Sequence, residues 1–177
     1  MFNINVRPPI YDPEAVQWMR DELTYTGFKE LLNPAAVEEY LTDTTKGTVL
    51  VLVNSVCGCA AGSARPGINL ALQHRVIPDH YVTVFAGMER DAVDKARELI
   101  GKNVPPSSPS LALFKDGKPV YFVPRYEFEG RSPSQIADLL IEAFDELCTK
   151  EGPSISPEEF AKLEYTKACG SKIPKLN

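Results

Sequence analysis

The sequence predicts an α/β fold in which a central mixed β-sheet is flanked by helices and preceded by a helical N-terminal extension. Strand-like and helix-like runs alternate through the middle of the chain, the order that parallel α/β pairing requires. The pair Asp116-Gly117 separates two apolar runs, a strong short-range hairpin signal. A long amphipathic segment then follows, able to cover one face of the sheet.

Two helices are expected in the first forty or so residues, because Asp12-Pro13-Glu14 and Asn33-Pro34 each place a capping side chain before a proline suited to the first helical turn. Val16, Met19 and Leu23 share one face of the first, and Val37, Tyr40 and Leu41 one face of the second, so both faces read as core. Thr48 to Asn54, Thr-Val-Leu-Val-Leu-Val-Asn, is a β-branched and apolar run of strand length, as in a central strand covered on both faces. Ala60 to Gln73 reads as a helix interrupted at Arg65-Pro66-Gly67, where proline removes a donor and bends the axis. His80 to Ala86 is a second buried strand, and Glu89 to Ile100 a helix with Ala92, Val93, Ala96, Leu99 and Ile100 on its apolar side. After a proline-rich loop, Ser110–Phe114 and Val120–Val123 flank the Asp-Gly turn and add an antiparallel edge. Ser132 or Ser134 caps the last long helix, whose apolar side carries Ile136, Leu139, Leu140, Ala143, Phe144 and Leu147. Beyond Lys150 the composition changes, so residues 1–150 read as one domain and 151–177 as a C-terminal appendage.

With 177 residues and 44% hydrophobic composition, the chain can bury one good core. A net charge of −5 and a pI near 5.1 leave no basic field to gather phosphates, so nucleic acid is not an expected partner. The N-terminus lacks a basic start followed by an apolar run, and no stretch reaches membrane-spanning length; a soluble cytoplasmic protein is expected, with no membrane partner. In a reducing compartment the 4 cysteines do not read as a structural disulfide framework. Cys57 and Cys59 are the close pair, while Cys148 and Cys169 read as ordinary packed or exposed thiols.

The pair follows directly on the apolar strand and opens the alanine-rich helix, so it occupies a strand-to-helix turn. There, unpaired backbone N–H groups and the positive end of the helix dipole favour a thiolate, the form that attacks disulfides. Cys57 comes first and is the better placed for exposure and attack. A disulfide across a single intervening residue closes a small ring that reaches its preferred dihedral with difficulty, and Gly58 relaxes the backbone between the sulfurs. The oxidised pair is therefore expected to be strained and readily reduced, which suits a mixed-disulfide reductase or an isomerase. Upstream of the hairpin lies Pro105-Pro106-Ser107-Ser108-Pro109. The order of elements suggests a cis Ser108-Pro109 bond that brings a backbone edge beside the cysteine turn, although cis forms are only about 5–6% of X–Pro bonds.

The run Ser55-Val56-Cys57-Gly58-Cys59-Ala60-Ala61-Gly62-Ser63-Ala64-Arg65-Pro66-Gly67 is similar to that of the bacilliredoxin family, which uses a Cys-Gly-Cys site. Pro109-Ser110-Leu111-Ala112-Leu113-Phe114-Lys115-Asp116-Gly117 resembles the thioredoxin pattern of a cis-proline, an apolar strand and a Lys-polar-Gly turn, although thioredoxins separate their cysteines by two residues. The likeness spans roughly residues 10 to 148. It implies a thioredoxin-like fold, with Cys57 and Cys59 as catalytic residues and Gly58, Ser108 and Pro109 at the substrate. It also implies reduction of mixed disulfides between proteins and bacillithiol, disulfide isomerase activity, and no bound cofactor: bacillithiol or a similar low-molecular-weight thiol is a co-substrate, and oxidised or S-thiolated proteins are the partners.

Blander readings stand beside this one. A Cys-X-Cys pair can be half of a metal site, but His74, His80, Cys148 and Cys169 stand at no recognisable ligand spacing. His74 and His80 are expected to be solvated or capping. Arg65 could reach an anionic substrate group, but a helix arginine is expected to snorkel into solvent, and Tyr121, Tyr126 and Phe128 are expected to pack rather than form a ligand platform. The segment Glu127 to Arg131 reaches the cysteines only if its loop folds back. A redox-inert adaptor of the same fold is the rival from another class.

Overall fold

Five strands form one mixed sheet in the computed structural model, which describes residues 6–165 and 173–176. In chain order the elements are α1 (Pro13–Thr24), β1 (Lys29–Glu30), α2 (Pro34–Thr42), β2 (Thr48–Asn54), a π-helical turn (Ala60–Ala64) running into α3 (Arg65–Ala71), β3 (Val76–Ile77), β4 (His80–Phe85), α4 (Arg90–Ile100), β5 (Ser110–Lys115), β6 (Lys118–Val123), a 3-10 turn (Arg125–Glu127), α5 (Pro133–Leu147), β7 (Lys150–Glu151) and α6 (Pro157–Ala161). The sheet order is β1-β4-β2-β5-β6; β1 and β2 run parallel to β4, while β5 runs antiparallel to both β2 and β6. This central mixed sheet flanked by helices is consistent with a thioredoxin-like fold. The two-residue strands β1, β3 and β7 were not foreseen, being too short to carry a period of their own.

Every residue of β2 is buried, because helices cover both faces. Its alternation sorts the core: Leu50 and Leu52 join Leu111 and Leu113 under α3 and α5, whereas Val49, Val51 and Val53 join Val82 and Val84 under α2 and α4. Helix α1 lies at one end, where Val16 and Met19 meet Phe85 and Met88, with Val56 and Trp18 packed against them. The caps act as read: Asp12 accepts from Glu14 N–H, Asn33 from Ala36 N–H, and Ser132, not Ser134, forms a capping box with Gln135. Asp116 (φ 52°) and Gly117 (φ 78°) both take positive φ, as a hairpin turn matched to sheet twist needs.

The proline in the third helix acts upstream of its own position. Pro66 has no N–H and crowds the carbonyl four residues back, and the preceding turn widens so that Arg65 N–H reaches Ala60 O, a π-type step. Gly67 then lets α3 press onto α5; a Cβ there would stand 2.6 Å from Ile136 Cβ and 2.9 Å from the Pro133 carbonyl oxygen. Gly67→Ala therefore sets a better helix former, worth about 1 kcal/mol, against overpacking of about 1–3 kcal/mol. Overpacking should win, and urea denaturation should show a lower midpoint at unchanged slope.

The segment after Lys150 is tied to the domain where it is described. β7 pairs with β3, Tyr25 Oη donates to the Glu159 carbonyl (2.9 Å), Asn69 Nδ2 donates to Tyr165 Oη (3.2 Å), and Leu176 N–H donates to the Ile10 carbonyl (2.6 Å). Cys169 lies outside the described residues. No helix among the described residues is long and apolar enough to cross a membrane.

Candidate active site

Where β2 ends, the chain turns through Ser55 and Val56 into the helical segment and presents Cys57, Gly58 and Cys59. Ser55 Oγ accepts from Cys57 N–H (3.0 Å), fixing the turn. The Cys57 carbonyl accepts from Ala60 N–H (3.0 Å) and Ala61 N–H (3.3 Å), and Cys57 Sγ accepts from Cys59 N–H (3.4 Å). Cys57 thus fills the N-cap role with sulfur where serine or aspartate would ordinarily place oxygen. The two sulfurs are 2.7 Å apart and both thiols are free and half-buried, whereas Gly58 between them is exposed.

The sulfurs are electrostatically unequal. Burial pushes the Cys59 thiol up to about 12, reinforced by its hydrogen bond to Cys57 and by charge on that neighbour. Cys148, the C-cap of α5, is pushed up to about 11 by burial. At neutral pH both keep their protons.

Ser108-Pro109 is a cis peptide bond, with Pro109 buried and Ser108 half-buried. Ser110 pairs with Val53, so Pro109 lies at the end of the sheet where β2 gives way to the cysteine turn. Ser110 Oγ donates to the Ser107 carbonyl (2.9 Å) and Ser107 Oγ accepts from Arg125 N–H (3.3 Å), joining the proline loop to the turn after β6.

That turn does fold back. Ser63 Oγ donates to the Arg131 carbonyl (2.6 Å), and Arg125, ion-paired to Glu129 at 2.8 Å, interacts electrostatically with both sulfurs. Phe128 is fully buried and anchors the loop, and Tyr121 is half-buried, but Tyr126 is 70% exposed and does not pack as expected. His74 and His80 are far from chemistry: His74 Nε2 contacts Asp145 (2.9 Å), and His80 stacks edge-on with Tyr40. Arg65 departs most from expectation. It is fully buried rather than snorkelled, because Glu22 receives its Nε–H and Asn54 and the Ser55 carbonyl receive Nη1 inside the protein. Among the described residues no group of three or more His, Cys, Asp or Glu side chains is placed to hold a metal ion.

Sequence reasoning missed Arg125 as a neighbour of the thiols and Glu22 as the partner of Arg65. No local signal announces either, since each contact joins distant segments; the serine two residues before Cys57, a turn-forming spacing, was the one legible sign of Ser55's part.

An α/β sheet that delivers two adjacent thiols, one capping a helix and one held protonated beside it, defines a thiol–disulfide redox protein. Residues 11–148 match the family model described as disulphide isomerase. Over 138 residues the chain is 52% identical to a bacilliredoxin of Halalkalibacterium halodurans, covering 78% of this chain and 94% of that one. It is 49% identical over 138 residues to a bacilliredoxin of Cytophaga hutchinsonii, covering 78% of this chain and all of that one. A bacilliredoxin of Salinibacter ruber is 45% identical over 167 residues, covering 93% of this chain and 95% of its own, so that likeness reaches into the segment after Lys150. The chain belongs to the bacilliredoxin family.

Proposed function

We propose that this protein is a thiol–disulfide exchange enzyme acting on mixed disulfides between protein cysteines and a low-molecular-weight thiol of the bacillithiol type, with Cys57 attacking and Cys59 resolving. The observation that carries this reading is the inequality of two sulfurs 2.7 Å apart, one receiving the Cys59 N–H and the other held protonated. The Cys57 thiolate attacks the small-thiol sulfur of the mixed disulfide; that S–S bond breaks, the Cys57 mixed disulfide forms, and the protein thiolate leaves and takes a proton. The negative charge at Cys57 is then gone, and with it one of the causes that held Cys59 up. Cys59 loses its proton to solvent and attacks Cys57 Sγ, releasing the small thiolate and leaving a Cys57–Cys59 disulfide; alternatively, a second small thiol removes the adduct. On the Cys59 path two electrons pass from this protein to the substrate disulfide; on the other path the second small thiol supplies them and leaves as the small-thiol disulfide, with Cys57 returned as a thiolate. Attack by Cys57 on a protein disulfide, reversed by a different protein thiol, is isomerisation by the same chemistry.

Gly58, Ser108 and Pro109 offer backbone to an extended substrate segment, and exposed Arg125 suits an anionic disulfide partner. No bound cofactor is invoked, and in a cytoplasmic location the surrounding thiol pool would return the pair to its reduced form.

Mass spectrometry of the protein after exposure to bacillithiol-adducted substrate should find the small thiol on Cys57. Iodoacetamide at pH 8 should label Cys57 first, because Cys59 and Cys148 remain protonated until the pH climbs toward about 12 and about 11. Faster labelling of Cys59 or Cys148, or stoichiometric Cu(I) or Zn(II) uptake without turnover of mixed disulfides, would sink the reading.

A further inference from the structure

Beneath the cysteine turn lies a charged pair that the exchange step does not use. Arg65, the first residue of α3, is 0% exposed, and Glu22 on α1, 43 residues away in sequence, is 4% exposed. Arg65 Nε donates to Glu22 Oε2 (2.5 Å), while Nη1 donates to Asn54 Oδ1 and to the Ser55 carbonyl, each at 3.1 Å. Asn54 Oδ1 also accepts from Ser55 N–H (2.8 Å), and Ser55 Oγ accepts from Cys57 N–H (3.0 Å). The guanidinium is therefore hooked to the two residues that lead β2 into the reactive cysteine. Its Nη2 is buried with no hydrogen-bond partner among the described residues, the guanidinium carbon lies 5.3 Å from the Trp18 ring centroid, and the guanidinium charge acts on Cys57.

Burying such a pair is a poor way to gain stability, since apolar residues of similar volume commonly do as well or better. A site-directed role accounts for it. We propose that the Glu22–Arg65 pair is the positioning element of the reactive turn: Arg65 holds Asn54 and Ser55 so that Cys57 Sγ stays over the Cys59 amide, and it supplies a permanent, partly compensated positive charge beneath that sulfur. Arginine suits this because it stays cationic when buried and its fork reaches three acceptors at once. Among the described residues, the other titratable or charged groups around the sulfurs are Cys59 on the same turn and Arg125 and Glu129 on the loop after β6; Tyr165, from the segment after α6, faces Arg65.

The inference rests on Cys57 being the attacking thiol. Its test is the rate of iodoacetamide labelling at Cys57 at pH 7, site-resolved by mass spectrometry, with thiolate absorbance followed against pH, in full-length variants checked for native near-UV circular dichroism. The neutral pair Glu22→Gln/Arg65→Met removes both charges and the fork, and should label Cys57 about tenfold more slowly, a shift of about one pH unit in its thiolate titration. Glu22→Gln alone keeps an acceptor for Arg65 but uncovers its charge, and should label Cys57 faster than the native protein. Arg65→Lys, which keeps the charge and loses the fork, should fall between the double variant and the native protein. A folded double variant with native labelling and titration overturns the proposal. Should the double variant not fold, Glu22→Gln decides: an unchanged or slower rate at Cys57 overturns it equally. Native protein labelled first at a cysteine other than Cys57 would instead overturn the proposed function, and the two failures are thereby separable.

Discussion

Cys57→Ser is expected to abolish disulfide exchange, lowering turnover of a thiolated substrate on the order of 10³-fold or more, the scale seen when a nucleophile is removed while its surroundings remain. A serine hydroxyl retains the capping geometry at the helix start, so folding should be unaffected and the loss chemical. Cys59→Ala should behave differently. Attack by Cys57 needs no help from Cys59, and this variant should accumulate a stable adduct on Cys57 that a second small thiol slowly clears, whereas Cys57→Ser accumulates none. Intact-mass spectra after quenching in acid read both outcomes. Equal trapping by the two variants would contradict the division of roles.

Phe128→Ala should cost about 3–5 kcal/mol, the range for truncating a fully buried aromatic ring. Phe128 lies in the cluster of Leu52, Leu111 and Ile136 beneath α3 and α5, yet it belongs to the loop that carries Arg125 and Glu129 to the sulfurs. Its N–H donates to the Arg125 carbonyl (2.9 Å) and its carbonyl accepts from Arg131 N–H (3.4 Å), so the ring is the peg on which this loop hangs. Urea titration should show the lost stability. Below the transition, Cys59 should alkylate faster than in the native protein, because burial holds its thiol up to about 12 and a loosened loop beside it would admit water. Unchanged labelling of Cys59 in a destabilised but folded variant would show that the loop does not shield the site.

Much of the architecture is legible because it is written locally. Asp12 and Asn33 stand directly before prolines, the alternation of β2 shows which residues meet which layer, and Asp116-Gly117 can hardly do other than turn a hairpin. The cysteine turn is legible for the same reason, since strand end, thiols and helix start are contiguous. What sequence reading cannot reach is anything decided by a distant partner. β1 has no period and exists because it pairs with β4. Arg65 sits among alanines and glycines that suit an exposed helix as well as a buried one, and its burial depends on a carboxylate from another helix. Arg125 looks like any hairpin-end arginine until Ser63 and Ser107 hold its loop in place.

The order of the sheet has a consequence during synthesis. β2 is its central strand, and both of its neighbours, β4 and β5, come later in the chain. At about 5–20 residues per second, the ribosome needs roughly 3–13 s to travel from the start of β2 to the end of β5. For that interval the nascent polypeptide carries its most apolar strand with at least one edge open to pairing with other chains, and with two thiols directly behind it. The newborn protein is thus more exposed to aggregation and wrong disulfides than the finished one, and its dependence on chaperones and on a reducing environment should be greatest before residue 115 has emerged.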